Sequence, residues 1–215
     1  MGNAEPVGSQ QEDEVSSGLR PRSIFAINTG RCVEDSYPEG SILLNLGSGD
    51  LHWDKWINVD QKPDGWHTTA KHPDVVADVT DLPYPDNHVD AIAAIHLIEH
   101  FYKWEVQDIL KEWLRVLKPG GRLILECPSM EKVFKYIANA MDRNIPMSAT
   151  FSFLPIYGDP KFKNVAMCHK WGYFFSTLKM ELVKAGYVDI SVSKPRYHYP
   201  QRDMRLTSFK PSSTT

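Results

Sequence analysis

Two glycines stand directly after an apolar run that reads as a buried strand. The run covers Ser41 to Leu46, and Gly47 and Gly49 then flank Ser48. Glycine at such a point lets the backbone turn tightly and lets a ligand approach main-chain N–H groups. The dinucleotide fingerprint is incomplete, because its third glycine would fall at His52. The pattern predicts a cofactor loop, and a plain tight turn is the alternative.

Two aspartates follow the next two predicted strands. Asp60 ends the second strand, and Asp78 ends the third with Val79 directly after it. The carboxylate of Asp60 can accept two hydrogen bonds from a ribose diol, and Asp78 with the Val79 N–H suits the edge of an adenine ring. Each aspartate alone also fits a turn or a helix cap. Three successive strand ends with such groups indicate a nucleotide-like cofactor.

Titratable residues also follow the fourth predicted strand. It ends in His96-Leu97-Ile98-Glu99-His100, and Glu99 and His100 could orient a substrate or move a proton. Glu99 is also typical of a residue that starts the next helix. His169 belongs to a later group of polar aromatic residues that could line an acceptor pocket. No third ligand is spaced with His169 and His198, so we predict no metal site.

The elements that must position these residues alternate between strand and helix. Strands are predicted at 41–46, 56–60, 74–78, 89–95, 122–126, 187–193 and 205–209, with helices from about 106 to 117, 130 to 141 and 174 to 185. Strands that are apolar along their length predict an α/β fold with helices on both faces of a mostly parallel sheet. The short loop before the seventh strand makes that last strand antiparallel. Such sheets bind ligands at the carboxyl ends of their strands.

Composition divides the chain into a tail and one domain. Residues 1–22 are polar and acidic, which predicts a disordered tail, and 23–215 are predicted to form a single domain with an insertion or lid at about 143–170. The first twenty residues alone carry a charge of −3, equal to the net charge of the chain, so the rest carries no basic nucleic-acid footprint. No apolar run could span a membrane, and three dispersed cysteines favour a reducing, cytoplasmic setting.

The sequence resembles the class I S-adenosylmethionine-dependent methyltransferases, in the broad group called type 11. The matching stretches are LLNLGSGD (43–50), INVD (57–60), ADVTDLPYPDNHVDAI (77–92), HLIEHF (96–101) and LKEWLRVLKPGGRLILECP (110–128). A weaker likeness over 169–210 is to methyltransferases encoded beside polysaccharide genes. The resemblance implies a Rossmann-like seven-stranded sheet and S-adenosylmethionine as the cofactor.

The resemblance also implies roles for individual residues. Leu46 to Gly49 would surround the methionine part of the cofactor, Asp60 would hold the ribose, and Asp78 with Val79 would hold adenine. His96 and Leu97 would pass near the sulfonium. The link between Gly49 and Ile57 has only seven residues, too few for the usual helix there.

The expected function is methyl transfer to oxygen or nitrogen of a small molecule, a sugar or a glycan intermediate. His100 or His169 would act as general base for a hydroxyl acceptor, with Glu99 beside them. No Asn/Asp-Pro-Pro motif follows the fourth strand, so a DNA substrate is not expected. The alternatives are a methyltransferase-fold binding protein without catalysis, a nucleic-acid methyltransferase, and an NAD-dependent dehydrogenase, which the missing third glycine disfavours. The oligomeric state is not predicted.

Overall fold

The computed structural model of the protein describes residues 37–49, 51–61 and 72–212. The predicted tail, 1–22, lies outside the described residues, as does Asp50 of the glycine turn. The strands are β1 (Leu43–Leu46), β2 (Ile57–Asp60), β3 (Val75–Val76), β4 (Val89–Ile95), β5 (Leu117–Pro128), β6 (Val188–Ser193) and β7 (Asp203–Phe209). The helices are α1 (Val106–Val116), α2 (Met130–Asp142), α3 (Leu154–Tyr157) and α4 (Phe175–Ala185).

The seven strands form one sheet in the order β3-β2-β1-β4-β5-β7-β6. All neighbours from β3 to β5 run parallel, whereas β7 is antiparallel to both β5 and β6. This confirms the predicted Rossmann-like, seven-stranded and mostly parallel sheet with its antiparallel last strand. The order of strands reverses between β1 and β4, and the carboxyl ends there are where such sheets bind ligands.

Two predicted strands differ in length from the observed ones. β3 keeps only Val75 and Val76, because this edge strand pairs with nothing beyond β2 among the described residues. β5 begins at Leu117, five residues before the predicted start at Arg122, because Leu117 already pairs with Val89 before a register shift. Turn-type residues lie between Leu117 and Arg122, so the sequence did not predict this pairing.

Helices α1 and α4 cover one face of the sheet. The buried α1 side chains recur at helical spacing and share one core cluster with Leu44, Ile92 and Leu123 of the central strands. The indole of Trp113 is fully buried there and donates to the Val79 carbonyl at 2.8 Å. This packing holds the segment after β3 against α1.

Aromatic side chains from loops cover the opposite face. Trp53 and Trp56 pack edge to face at 5.1 Å, and Trp53 stacks on Tyr197 at 4.7 Å. They lie over Ala91 and Ala93 of β4, whose small side chains leave room for the rings. The two tryptophans therefore pack in the core of the domain.

The short link between β1 and β2 has no helix in its described part, Leu51 to Trp56. The buried side chain of Asn58 organises it instead. Asn58 Oδ1 accepts from the Trp53 N–H at 2.9 Å and from Asn45 Nδ2 at 3.0 Å, and Asn58 Nδ2 donates to Asp74 Oδ2 at 2.7 Å. The first of these bonds supplies a partner for the backbone N–H of Trp53, which lies in a link whose described part has no helix.

The segment 143–170 contains short helical turns. They are Ala149–Phe151, α3, Pro160–Phe162 and Val165–Met167. Large apolar side chains are exposed along it, including Phe153 and Tyr157. A lid function for this segment stays a prediction. Within the described residues, no helix combines the length and apolar character needed to cross a membrane.

Candidate functional site

The glycine turn after β1 adopts a conformation that few other residues tolerate. Gly47 has φ +61° and Gly49 has φ +47°, both in the left-handed region. A Cβ on Gly47 would lie 2.7 Å from the Leu97 side chain, so the turn packs directly on the chain that leaves β4. Leu46 is fully buried in the core, so its predicted contact with the cofactor stays a prediction.

Ser48, between the two glycines, has an unsatisfied polar atom. Its N–H donates to the Val59 carbonyl at 3.2 Å, while its buried Oγ has no hydrogen-bond partner among the described residues. A buried hydroxyl without a partner is costly and points to a ligand or water. The turn therefore offers a polar group to a bound molecule.

Asp60 lies beside this turn at the end of β2. Its Oδ2 accepts from the Gly49 N–H at 2.7 Å, and its Oδ1 accepts from the Gln61 N–H at 2.7 Å. Each carboxylate oxygen can accept more than one hydrogen bond, so the side chain keeps capacity for a diol. The glycine turn after β1 and the Asp60 carboxylate at the end of β2 are therefore in direct contact.

Asp78 closes a turn after β3. Its Oδ1 accepts from the Thr80 N–H at 2.9 Å and from Thr80 Oγ1 at 2.8 Å, which is the turn role that the sequence left as an alternative. Asp78 is exposed, and Val79 is buried with its carbonyl bound to Trp113. The geometry places both residues just beyond the carboxyl end of β3, at the edge of the sheet.

His96 and Leu97 follow β4 at the centre of the same rim. His96 has φ +52°, which is uncommon for a residue with a Cβ, and its N–H donates to the Glu126 carbonyl at 2.7 Å. The imidazole reaches the start of β7, where His96 Nε2 lies 3.3 Å from Asp203 Oδ2. Leu97 turns instead toward Gly47.

His96 lies between two buried carboxylates. Its Nδ1 is 3.0 Å from Glu99 Oε1, and Asp203 is on its other side. Burial alone would lower the pKa of His96, but the two carboxylates outweigh burial and raise that pKa to about 9. Burial opposes ionisation of Glu99 as well, yet His96 lowers the pKa of Glu99 to about 2. The three groups form a charged cluster under the rim.

A second imidazole contacts this cluster and stays neutral. The rings of His96 and His198 are 4.0 Å apart between centroids. Burial, and then the positive charge on His96, lower the pKa of His198 to about 3. His198 therefore adds a neutral hydrogen-bonding group beside the charged His96.

Glu99 and His100 meet His169 in space although His169 lies far along the chain, and their ligand-type atoms all lie within 4.8 Å of one another. His100 Nδ1 contacts the Cys168 carbonyl at 3.2 Å, and His169 Nδ1 contacts the Pro155 carbonyl at 2.9 Å. Burial lowers the pKa of His100, which favours its neutral form. All three predicted catalytic residues thus share one location.

Sequence reasoning missed Asp203, which is completely buried next to His96. Burial opposes ionisation of Asp203, but the neighbouring His96 outweighs burial and lowers the pKa of this carboxyl group. Arg202 Nε also donates to Asp203 Oδ1 at 2.6 Å. A signal was present, because an antiparallel strand starts at the edge where its parallel neighbours end. The first residue of β7 therefore had to lie beside Pro128 at the carboxyl end of β5.

A family model matches the centre of this chain. Residues 52–125 match the model described as "Methyltransferase domain". Among curated proteins, the ubiquinone/menaquinone biosynthesis C-methyltransferase UbiE of Ectopseudomonas mendocina is 33% identical over 128 residues, which is 58% of this chain and 46% of that protein. UbiE of Azotobacter vinelandii is 38% identical over 84 residues, which is 39% of this chain and 30% of that protein. The chain thus spans about half the length, or less, of these relatives.

Solved structures share the fold at low sequence identity. A SAM-dependent methyltransferase from Methanosarcina mazei has a TM-score of 0.56 and 15% identity, covering 82% of this chain and 95% of its own. One from Archaeoglobus fulgidus has a TM-score of 0.52 and 16% identity, covering 80% and 87%. Human N-acetylserotonin methyltransferase, solved with SAM, has a TM-score of 0.51 and 14% identity, covering 80% and 48%.

Proposed function

Because this chain carries a class I methyltransferase domain, we propose that it transfers a methyl group from S-adenosylmethionine to an oxygen or nitrogen atom of a small-molecule, sugar or glycan acceptor. One observation carries the proposal. The left-handed Gly47 turn and the Asp60 carboxylate are joined through Gly49, next to the point where the strand order reverses. This combination suits a nucleoside whose ribose and charged tail lie across two strand ends.

The residues present fit the cofactor. The unpartnered Ser48 Oγ and the backbone of the two glycines beside it would face its methionine part. Asp60 would hold the ribose diol, and Asp78 with the Val79 N–H would hold adenine. His96 and Leu97 would pass beside the sulfonium. The cofactor supplies an activated methyl group, and the protein's task is to align that group with the acceptor and to exclude water.

The side chains of Glu99, His100 and His169 would face the acceptor. Their position beyond the end of β4 puts them on the same rim as the proposed cofactor residues. A neutral imidazole there can take the proton of a hydroxyl or amine as the methyl group is transferred.

Calorimetry tests the cofactor assignment. Titration with S-adenosylmethionine and S-adenosylhomocysteine is expected to give saturable binding, and NAD is expected to give none. Binding of NAD alone would indicate a different enzyme on this fold. Binding of S-adenosylmethionine without methyl incorporation into any component of a cell extract would favour the alternative of a binding protein.

C-methylation is a second candidate, because the curated relatives carry that activity in their names. The chemical position of a transferred ¹³C-methyl group separates the candidates by NMR. A methyl carbon bonded to oxygen or nitrogen resonates well downfield of one bonded to carbon. A product with a new carbon–carbon bond would contradict our preferred acceptor class.

A further inference from the structure

We propose that Glu99, His100 and His169 together bind a divalent metal ion of the zinc class, which holds an oxygen of the acceptor. The observation behind it is the convergence of one carboxylate and two imidazoles, with ligand-type atoms within 4.8 Å of one another. The spacing of these residues in the sequence did not predict their contact, because His169 lies in a separate segment of the chain.

The hydrogen bonds of the two histidines prepare both rings for a metal. A carbonyl oxygen can only accept, so the contacts of His100 Nδ1 with Cys168 O and of His169 Nδ1 with Pro155 O assign the ring hydrogen to Nδ1. In the neutral form of each ring, Nε2 then carries the lone pair. Metal-binding histidines characteristically donate their other ring N–H in this way, which sets the tautomer and the ring orientation.

Glu99 supplies the negative charge. The residue is 1% exposed, and neither carboxylate oxygen has a hydrogen bond of acceptable geometry among the described residues. Its 3.0 Å contact with His96 is an ion pair through Oε1. The second oxygen remains for a cation, because the contact with His96 involves only Oε1.

Backbone hydrogen bonds already join the two segments that carry the ligands. The N–H groups of Lys170 and Trp171 donate to the Glu99 carbonyl at 2.8 and 3.2 Å. Nitrogen and oxygen ligands around tetrahedral zinc lie about 3.4 Å apart, given bonds of about 2.1 Å. Binding would therefore require the side chains to move together by roughly an ångström, while the backbone attachment stays in place.

The ligand set selects the kind of metal. Two imidazoles disfavour magnesium and calcium, which prefer oxygen ligands. Two histidines and one glutamate bind catalytic zinc and leave a further position open for water or substrate. The same ligand types also suit ferrous iron, so the choice of zinc is part of what must be tested.

The role of the ion, unlike its binding, rests on the proposed methyl transfer. A hydroxyl oxygen of the acceptor bound to zinc loses its proton to water more readily, so the two imidazoles hold the ion and need not take that proton. That oxygen then bonds to the methyl carbon, while the carbon–sulfur bond breaks and its electron pair returns to sulfur. The products are the methyl ether, S-adenosylhomocysteine and the released proton, so atoms and charge balance.

Metal titration of the chelator-treated full chain tests the site without cofactor or acceptor. We expect calorimetry to show one bound Zn²⁺ per chain, and Co²⁺ to give visible absorption typical of nitrogen and oxygen ligands. His169→Ala and Glu99→Gln should each weaken Zn²⁺ binding by at least about tenfold, since each removes one of three ligands. His72→Ala, at an exposed histidine outside the group, should bind as the unchanged protein does.

Circular dichroism and melting curves establish which variants fold, and His169→Ala keeps the test valid if buried Glu99 cannot be replaced. Absence of stoichiometric Zn²⁺ binding, or equal affinity in folded His169→Ala and the unchanged protein, would overturn the site. Binding of Fe²⁺ in preference to Zn²⁺ would overturn the zinc assignment. Failure of S-adenosylhomocysteine to bind, with Zn²⁺ binding intact, would overturn only the proposed function.

Discussion

At the scale of single residues, Asp60 connects the two strand ends that we assign to the cofactor. Its carboxylate accepts from the Gly49 N–H, so it positions the turn and would also hold the ribose. Asp60→Ala removes charge-assisted hydrogen bonds worth about 1.5–3 kcal/mol each. We expect the affinity for S-adenosylhomocysteine to fall at least about tenfold, measured by calorimetry.

The matched control for Asp60 is Asp54→Ala, an exposed aspartate in the same link between β1 and β2. It should leave cofactor affinity and melting temperature unchanged. Asp60→Asn adds a second comparison, because an amide oxygen can still accept from Gly49 while the charge is lost. Unchanged affinity in both Asp60 variants would rule out its ribose role.

At the scale of elements, a buried glutamate of α4 contacts α1 and the segment before it. Glu181 Oε1 is 2.7 Å from Lys103 Nζ, and Glu181 Oε2 accepts from Gln107 Nε2 at 2.6 Å. Burial opposes ionisation, but these partners lower the pKa of Glu181 below its usual 4.5. A depressed pKa in the folded state stabilises the fold above pH of about 4.5, and that stability is lost as pH falls through the lower value.

Glu181→Gln should therefore reduce the free energy of unfolding by about 1–3 kcal/mol at pH 7. Below a pH of about 4.5, the free energies of unfolding of the variant and the unchanged protein should become more similar. Urea denaturation at several pH values measures both. Glu39→Gln, at an exposed position before β1, is the control and should show no such difference. A constant difference at all pH values would assign the effect to packing.

The segment 143–170 is the element for which we propose a covering function. Tyr157 is 67% exposed at the end of α3, so Tyr157→Ala should cost little stability. We expect it to lower methyl incorporation several-fold while cofactor affinity stays constant, because a cover shields the acceptor from water. Met180→Ala, at an exposed apolar residue on α4, should change neither quantity.

Hydrogen exchange provides an independent measurement of the same segment. Exchange in 143–170 should slow when S-adenosylhomocysteine and an acceptor are both bound. Full protection in the free protein would show that the segment belongs to the stable core, and the proposed cover would then be wrong.

Sequence patterns predicted the elements better than the contacts between them. The bounds of β4 follow directly from its apolar run, whereas the early start of β5 depends on pairing with β4 across the sheet. Local signals located Asp60 at the end of its strand. They could not associate His169 with Glu99 or Asp203 with His96, because those contacts depend on tertiary structure.

At the scale of the whole molecule, we expect residues 1–22 to be dispensable. Their polar, acidic composition cannot bury enough apolar surface to stabilise a fold. A chain that starts at Ser23 should melt within about 2 °C of the full chain, a difference that corresponds to at most about 1 kcal/mol. Its affinity for S-adenosylhomocysteine should also match. A large loss of either property would show that these residues contribute to the domain or the site.

The position of β7 between β5 and β6 has a consequence for how the chain reaches its native state. β5 is complete at Pro128, but its partner on that side begins only at Asp203. Until β7 inserts, one edge of β5 presents unpaired N–H and carbonyl groups that another chain can pair with. This long-range closure is entropically costly and slow to form. We therefore expect the chain to be most prone to aggregation before β7 pairs with β5, and the same pairing brings Asp203 to His96.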